Sequence, residues 1–274
     1  MNSVHSVLIT LAAIYVLITV FVYLIQDGLL FYPSPSDAEI EARYREYAIS
    51  VETGEVVLHG WFIPAAEHSH PTIAFYGGNG QELSTSIASI RALGDYNFVM
   101  INYRGYGRSS GRPSEKVLKS DALFILDALE AEKRISLHNT IVLGRSLGTG
   151  VATHVAANRE IKGLILISPF DSIKAIAADI YFFLPVRWLI KNPFRSIDYI
   201  PAISASTLVI KAEHDQVVPE RYTDELIKAW KSPLTVIKLE GTNHNYIETP
   251  RYFDEINRFL LRLGSQNVQS PSTR

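Results

Sequence analysis

Seven short, mainly apolar runs recur between residues 56 and 239, and most have interiors without a polar residue. They are Val56–Trp61, Thr72–Phe75, Phe98–Asn102, Thr140–Leu143, Gly163–Ile167, Thr207–Lys211 and Leu234–Leu239. A strand with one wet face alternates polar and apolar residues. A strand covered on both faces has no such need, so continuous runs point to parallel strands with helices above and below. Segments of helical periodicity fall between them, at Leu83–Leu93, Ser114–Ala131, Leu147–Ala157, Tyr222–Lys231 and Arg251–Leu263. This alternation predicts an α/β fold: a mostly parallel central sheet with helices on both faces.

The N-terminus follows another rule. Val7 to Ile25 contains no charged residue. At ~1.5 Å per residue it spans about 28 Å, close to the ~30 Å hydrocarbon core of a bilayer. A core helix would carry a polar stripe, and this run offers only Thr10, Tyr15 and Thr19. A signal peptide would show a basic start and a small-residue cleavage site, whereas Met1 to Ser6 has no Lys or Arg. The run is therefore expected to be an uncleaved single-pass membrane anchor, residues 1–30, that sets location and leaves chemistry to the rest. Arg43 and Arg45 are the only nearby basic residues, too few to fix on which side of the membrane the globular domain lies. Phe31–Tyr32–Pro33–Ser34–Pro35 reads as an extended interfacial linker. A globular domain is expected over residues 31–264 and a polar disordered tail over 265–274.

Composition removes several function classes. The 26 Lys and Arg nearly balance 28 Asp and Glu, so no basic face is available for nucleic acid. The absence of cysteine excludes disulfides, thiolate metal sites and a Cys nucleophile. No metal cluster or cofactor fingerprint is visible, so no cofactor is expected.

The chemistry concentrates at Gly144–Arg145–Ser146–Leu147–Gly148. It follows an apolar run and precedes a helical one, the strand–turn–helix context of a nucleophile elbow. A serine at so tight a turn needs unusual backbone angles and small neighbours. The helix start then sets N–H groups beside the reacting carbonyl. A serine hydroxyl needs a base, and the base an orienting acid. His244 follows the last apolar run and is the sole histidine after Asp215. Asp215, just past Thr207–Lys211, is the expected acid, with Glu213 and Asp171 as competitors. The expected oxyanion donors are the N–H groups of Leu147 and of Gly78, in the loop Tyr76–Gly77–Gly78–Asn79–Gly80–Gln81.

Roughly 40 residues separate the runs at Gly163 and Thr207, too many for one crossover helix. Residues 170–203 are expected to form a small helical lid, with Phe170, Phe182, Phe183 and Trp188 lining an acyl pocket.

With these residues in place, the chain resembles the alpha/beta-hydrolase superfamily, in particular its small membrane-anchored, ABHD-type serine-hydrolase branch. That branch carries an H-G-N-x-G-N loop, a D-Y-R-G-Y-G-x-S-x-G-x-P-S-E segment, a G-x-S-L-G elbow, a D-x-x-V-P loop and a final G-x-H. Here these stand at Tyr76–Gln81, Asn102–Glu115, Gly144–Gly148, Asp215–Pro219 and Gly241–His244. Tyr76, Gly78 and Asn102 replace the branch's His, Asn and Asp. The oxyanion donors are main-chain groups, so the first two departures bear on substrate preference more than on activity. Arg104 and Tyr106 are expected to brace the loops around the site. The resemblance implies hydrolysis of an ester or thioester through an acyl-enzyme. The substrate would be a small molecule or a lipid with a lipophilic acyl group, or an acylated protein. A peptidase or amidase on the same three residues, and a non-catalytic membrane-tethered scaffold, are the competing readings.

Overall fold

The computed structural model describes residues 2–67 and 69–266. In chain order its elements are α1 (Asn2–Leu30), α2 (Ala38–Arg43), β1 (Ala48–Thr53), β2 (Val56–Ile63), β3 (Thr72–Tyr76), α3 (Ile87–Arg91), β4 (Asn97–Ile101), α4 (Glu115–Ala131), β5 (Thr140–Arg145) and α5 (Leu147–Asn158). They continue as β6 (Gly163–Ile167), α6 (Ile173–Ile180), α7 (Val186–Leu189), β7 (Thr207–Ala212), α8 (Glu220–Lys228), β8 (Leu234–Leu239) and α9 (Pro250–Gln266).

The eight strands form one sheet in the order β1-β2-β4-β3-β5-β6-β7-β8. β1 and β2 pair antiparallel, as do β2 and β4; the remaining pairs are parallel. Every residue of β3, β4 and β6 is buried, as their continuous apolar sequences require. One face packs against α4 and α5 through Leu126, Leu129 and Val151, the other against α3 and α9 through Ile90, Ile256 and Phe259. From β3 the chain moves outward to β4 and returns on the opposite side as β5, so strand order reverses between β3 and β5. Such a switch point opens a crevice at the carboxyl ends of the strands. The loops carrying Gly78 and Ser146 leave from there.

α4 begins where Ser114 accepts the N–H of Val117, a cap the sequence announces beside Pro113. Other boundaries moved. β1 shows no apolar run because it is an edge strand whose residues alternate between exposed and half-buried. The segment expected to be helical from Leu83 divides into a tight turn over Leu83–Ser86 and the short α3. α9 runs on to Gln266, past the expected start of the tail; residues 267–274 lie outside the described residues.

α1 is one helix long and apolar enough to cross a membrane. It is fastened to the globular part. Phe31 is buried and meets the Phe194 ring edge-on at 6.4 Å, a burial contributing about 2 kcal/mol. Tyr32 N donates to Asn79 O at 2.9 Å, Asn79 Nδ2 to Leu30 O at 3.1 Å, and Ser34 Oγ to Gly80 O at 2.8 Å. The end of α1 is thus bonded to the loop after β3.

Candidate active site

β5 ends at Arg145 and α5 begins at Leu147, leaving Ser146 as the single residue of the turn. Its φ of 51° and ψ of −122° lie where non-glycine residues are rarely found. Two glycines make the turn possible. A Cβ on Gly144 would stand 2.6 Å from Gly148 O, and one on Gly148 would stand 2.1 Å from Tyr76 O. Neither space admits a side chain.

The structure brings Ser146, His244 and Asp215 into one hydrogen-bonded row. His244 Nε2 lies 2.9 Å from Ser146 Oγ, and His244 Nδ1 lies 2.8 Å from Asp215 Oδ2 and 3.0 Å from Oδ1. Asp215 Oδ1 also accepts the N–H groups of Val217 and Val218, at 3.0 and 2.7 Å. The same carboxylate therefore closes its own loop and faces the imidazole. Burial pushes its pKa up. The hydrogen bonds from His244 and Val218, the imidazole charge and the Ser168 hydroxyl outweigh that and hold it below the ordinary carboxylate value. The competing acids lie elsewhere. Glu213 accepts Gly241 N at 2.8 Å, and Asp171 pairs with the Ser172 hydroxyl at 3.2 Å.

As the first residue of α5, Leu147 has an N–H with no intrahelical acceptor. Gly78 differs: its N–H is taken by Gln81 Oε1 at 2.9 Å. A Cβ on Gly78 would rest 3.5 Å from Ser146 Cβ, so glycine leaves open the space above the serine. Tyr76 is buried in the core and lines no part of the cavity beside Ser146; its exchange for histidine does not touch the site. Arg104 forks onto Asp121 of α4 with two bonds of 2.7 Å, and the Tyr106 hydroxyl donates to Asn79 O. Both brace the loops, as expected.

Arg145 escaped the sequence reading. Its guanidinium donates to His244 O at 3.1 Å and to Glu248 at 3.2 Å, tying the histidine loop to the elbow. A charged residue between Gly144 and Ser146 was the available signal.

An apolar cavity of about 250 Å³ extends from Ser146 and Leu147. Phe170 lines it, together with Ile173, Ile176, Ala177 and Ile180 of α6. Those α6 positions follow helical spacing, so one face of α6 points inward. Phe182, Phe183 and Trp188 do not line the cavity, and their expected place in an acyl pocket is corrected. They are 81%, 52% and 87% exposed, because Leu184 is the side chain that turns inward between α6 and α7. The last turns of α1 also form part of the cavity wall.

Comparison with known proteins identifies the family to which this fold belongs. A family model described as the alpha/beta hydrolase fold matches residues 56–185. A Mycobacterium tuberculosis protein described only as uncharacterized is 30% identical over 254 residues, covering 89% of this chain and 90% of that one. The Gallus gallus lysophosphatidylserine lipase ABHD12 is 34% identical over 181 residues, covering 58% of this chain and 47% of the lipase. Among solved structures, an esterase of Pyrococcus furiosus shares the fold at 16% identity, with a TM-score of 0.67 over 85% of this chain and 97% of its own. With the strand order and the matched motifs, these likenesses make the chain a hydrolase of the alpha/beta-hydrolase superfamily, in its ABHD-like branch.

Proposed function

We propose that the protein is a membrane-anchored serine hydrolase that cleaves carboxylic esters or thioesters of lipophilic acyl groups. The observation that carries this reading is the hydrogen-bonded row Ser146–His244–Asp215 at the mouth of an apolar cavity. His244 Nε2 takes the proton from Ser146 Oγ as the oxygen attacks the acyl carbonyl. Asp215 holds the Nδ1–H and so fixes the tautomer that leaves Nε2 free to accept. The Leu147 N–H, at the positive end of α5, receives the developing oxyanion. His244 returns the proton to the leaving oxygen or sulfur. Water, deprotonated by the same imidazole, then releases the acyl group from Ser146.

The apolar wall of the cavity supports a long acyl chain over a polar substrate. Residues 31–264 form the hydrolase unit in this reading, and α1 the anchor. The relative named as a lysophosphatidylserine lipase is consistent with a lipid ester, though fold alone does not select a substrate. A fluorophosphonate probe tests the proposal. It labels the wild type and leaves Ser146→Ala unlabelled; labelling that survives in the alanine variant refutes the serine mechanism. Faster cleavage of acyl amides than of matched esters would favour the peptidase or amidase reading.

A further inference from the structure

The cavity beside Ser146 has an unusual wall. Thr19, Val22, Tyr23, Gln26, Leu29 and Leu30 of α1 all line it. Thr19, Val22, Gln26 and Leu30 are half-buried while residues 3–18 are all more than a third exposed. They recur at helical spacing, so one stripe of the helix faces the cavity. At ~1.5 Å per residue, Thr19 to Leu30 is a wall about 16 Å long. The facing wall is the segment spanning α6 and α7, including Ile176, Ile180, Leu184 and Leu189. The seam between the walls is held at its globular end. Gln26 Nε2 donates to Leu189 O at 3.3 Å, Lys191 N donates to Gln26 Oε1 at 2.8 Å, and Asn192 Nδ2 donates to Asp27 Oδ1 at 2.7 Å. Tyr23 and Leu29 line the cavity yet remain 40% and 39% exposed, so it opens outward along α1.

Depth follows from length. The uncharged run Val7–Ile25 is only just long enough for the hydrocarbon core, so it cannot be drawn out of a bilayer to leave residues 19–25 in water. The α6–α7 segment touches α1 at that level. Its outward side chains suit the same boundary: Phe182, Phe183 and Trp188 are exposed, with Arg187 and Lys191 exposed beside them. Aromatic and basic side chains together are typical of the headgroup region.

We propose that the seam between α1 and the α6–α7 segment is a lateral portal through which one acyl chain of a bilayer amphiphile slides from the leaflet to Ser146. The anchor is then a wall of the substrate site as well as a tether. Substrate length and bulk are read partly by α1, with Val22 facing the chain. The portal rests on the serine-hydrolase reading above.

The test uses full-length protein in phosphatidylcholine vesicles, with a long-chain fluorogenic ester in the bilayer and an acetyl ester in solution. Val22→Trp fills the portal and is expected to lower the long-chain to acetyl ratio of kcat/KM at least tenfold. Val22→Ala widens it and shifts preference toward branched or longer chains. Leu24→Trp also introduces a tryptophan, but on the lipid-facing side, where Leu24 is exposed and outside the cavity, and leaves both activities within twofold of wild type. If both Val22 variants keep the wild-type ratio and chain preference while hydrolysing the acetyl ester, the portal is wrong and the hydrolase reading stands. If the wild type hydrolyses neither ester and takes no fluorophosphonate label, the hydrolase reading falls, and the portal with it.

Discussion

Asn102 Nδ2 donates to the buried carboxylate of Glu82 at 2.6 Å, while its carbonyl oxygen accepts Leu83 N–H at 2.8 Å. The two side chains lock the loop after β3 to the end of β4. An aspartate at 102, as in the branch motif, would oppose Glu82 with a second buried carboxylate and lose the donor.

Asn102→Asp is therefore expected to destabilise the protein by about 3 kcal/mol at neutral pH, the scale of an uncompensated buried charge. One carboxyl of the new pair must hold a proton, so its folded-state pKa rises above the unfolded one. Such a penalty is full at pH 7 and fades as pH falls toward the ordinary carboxylate range. Thermal midpoints in detergent, compared with wild type at pH 7 and pH 4.5, check both size and sign.

Asp215→Asn should keep the fold and lower kcat by about 10⁴, because an amide presents the wrong partner to His244 Nδ1. Asp171→Asn should change turnover little, since its carboxylate pairs with Ser172 and not with His244. The Asp215 carboxyl is held below its ordinary value, so it contributes stability above the unfolded pKa that is lost as pH falls through the folded one. The wild type should thus lose stability on acidification more steeply than Asp215→Asn. Turnover of a soluble ester and thermal midpoints between pH 7 and 3 decide it.

How far the sequence reached follows from what each signal encodes. The parallel strands were legible because burial on both faces removes polar residues from β3, β4 and β6. Ser146, His244 and Asp215 were legible as neighbours because each leaves the carboxyl end of a parallel strand, where chain order and fold fix their meeting. β1 was not, since an edge strand needs no apolar run. Phe182, Phe183 and Trp188 misled because hydrophobicity does not tell whether a side chain turns to the core or outward. The bonds from Gln26 and Asp27 to residues 189–192 join positions more than 160 apart. Nothing local announces them.

Trp188 offers a direct probe of the outward face. It is the exposed tryptophan, whereas Trp61 is fully buried and Trp230 half-buried. With the full-length protein in vesicles, brominated lipids should quench a large part of the indole emission. Trp188→Phe should remove most of that quenching and leave acetyl-ester turnover as in wild type. Equal fractional quenching in the two proteins would place this face in water.

Gln81 sets a further condition on turnover. Its Oε1 occupies the Gly78 N–H, the second donor that an oxyanion would want. Exchanging that bond for one to a neutral substrate carbonyl gains nothing, since each is worth about 1 kcal/mol net. Exchanging it for an oxyanion is favourable, because such a donor contributes about 3 kcal/mol in the transition state. Gln81→Leu removes the competing acceptor and frees Gly78 N–H for carbonyl and oxyanion alike. Ground and transition states should gain together, which lowers KM and leaves kcat near wild type. The expected rise in kcat/KM is about two- to tenfold, the equivalent of one neutral hydrogen bond. A fall in kcat with KM unchanged would mean that Gln81 instead holds the Gly78 peptide in its working orientation. Steady-state kinetics on a single soluble ester, with fluorophosphonate titration of active Ser146, separates the two.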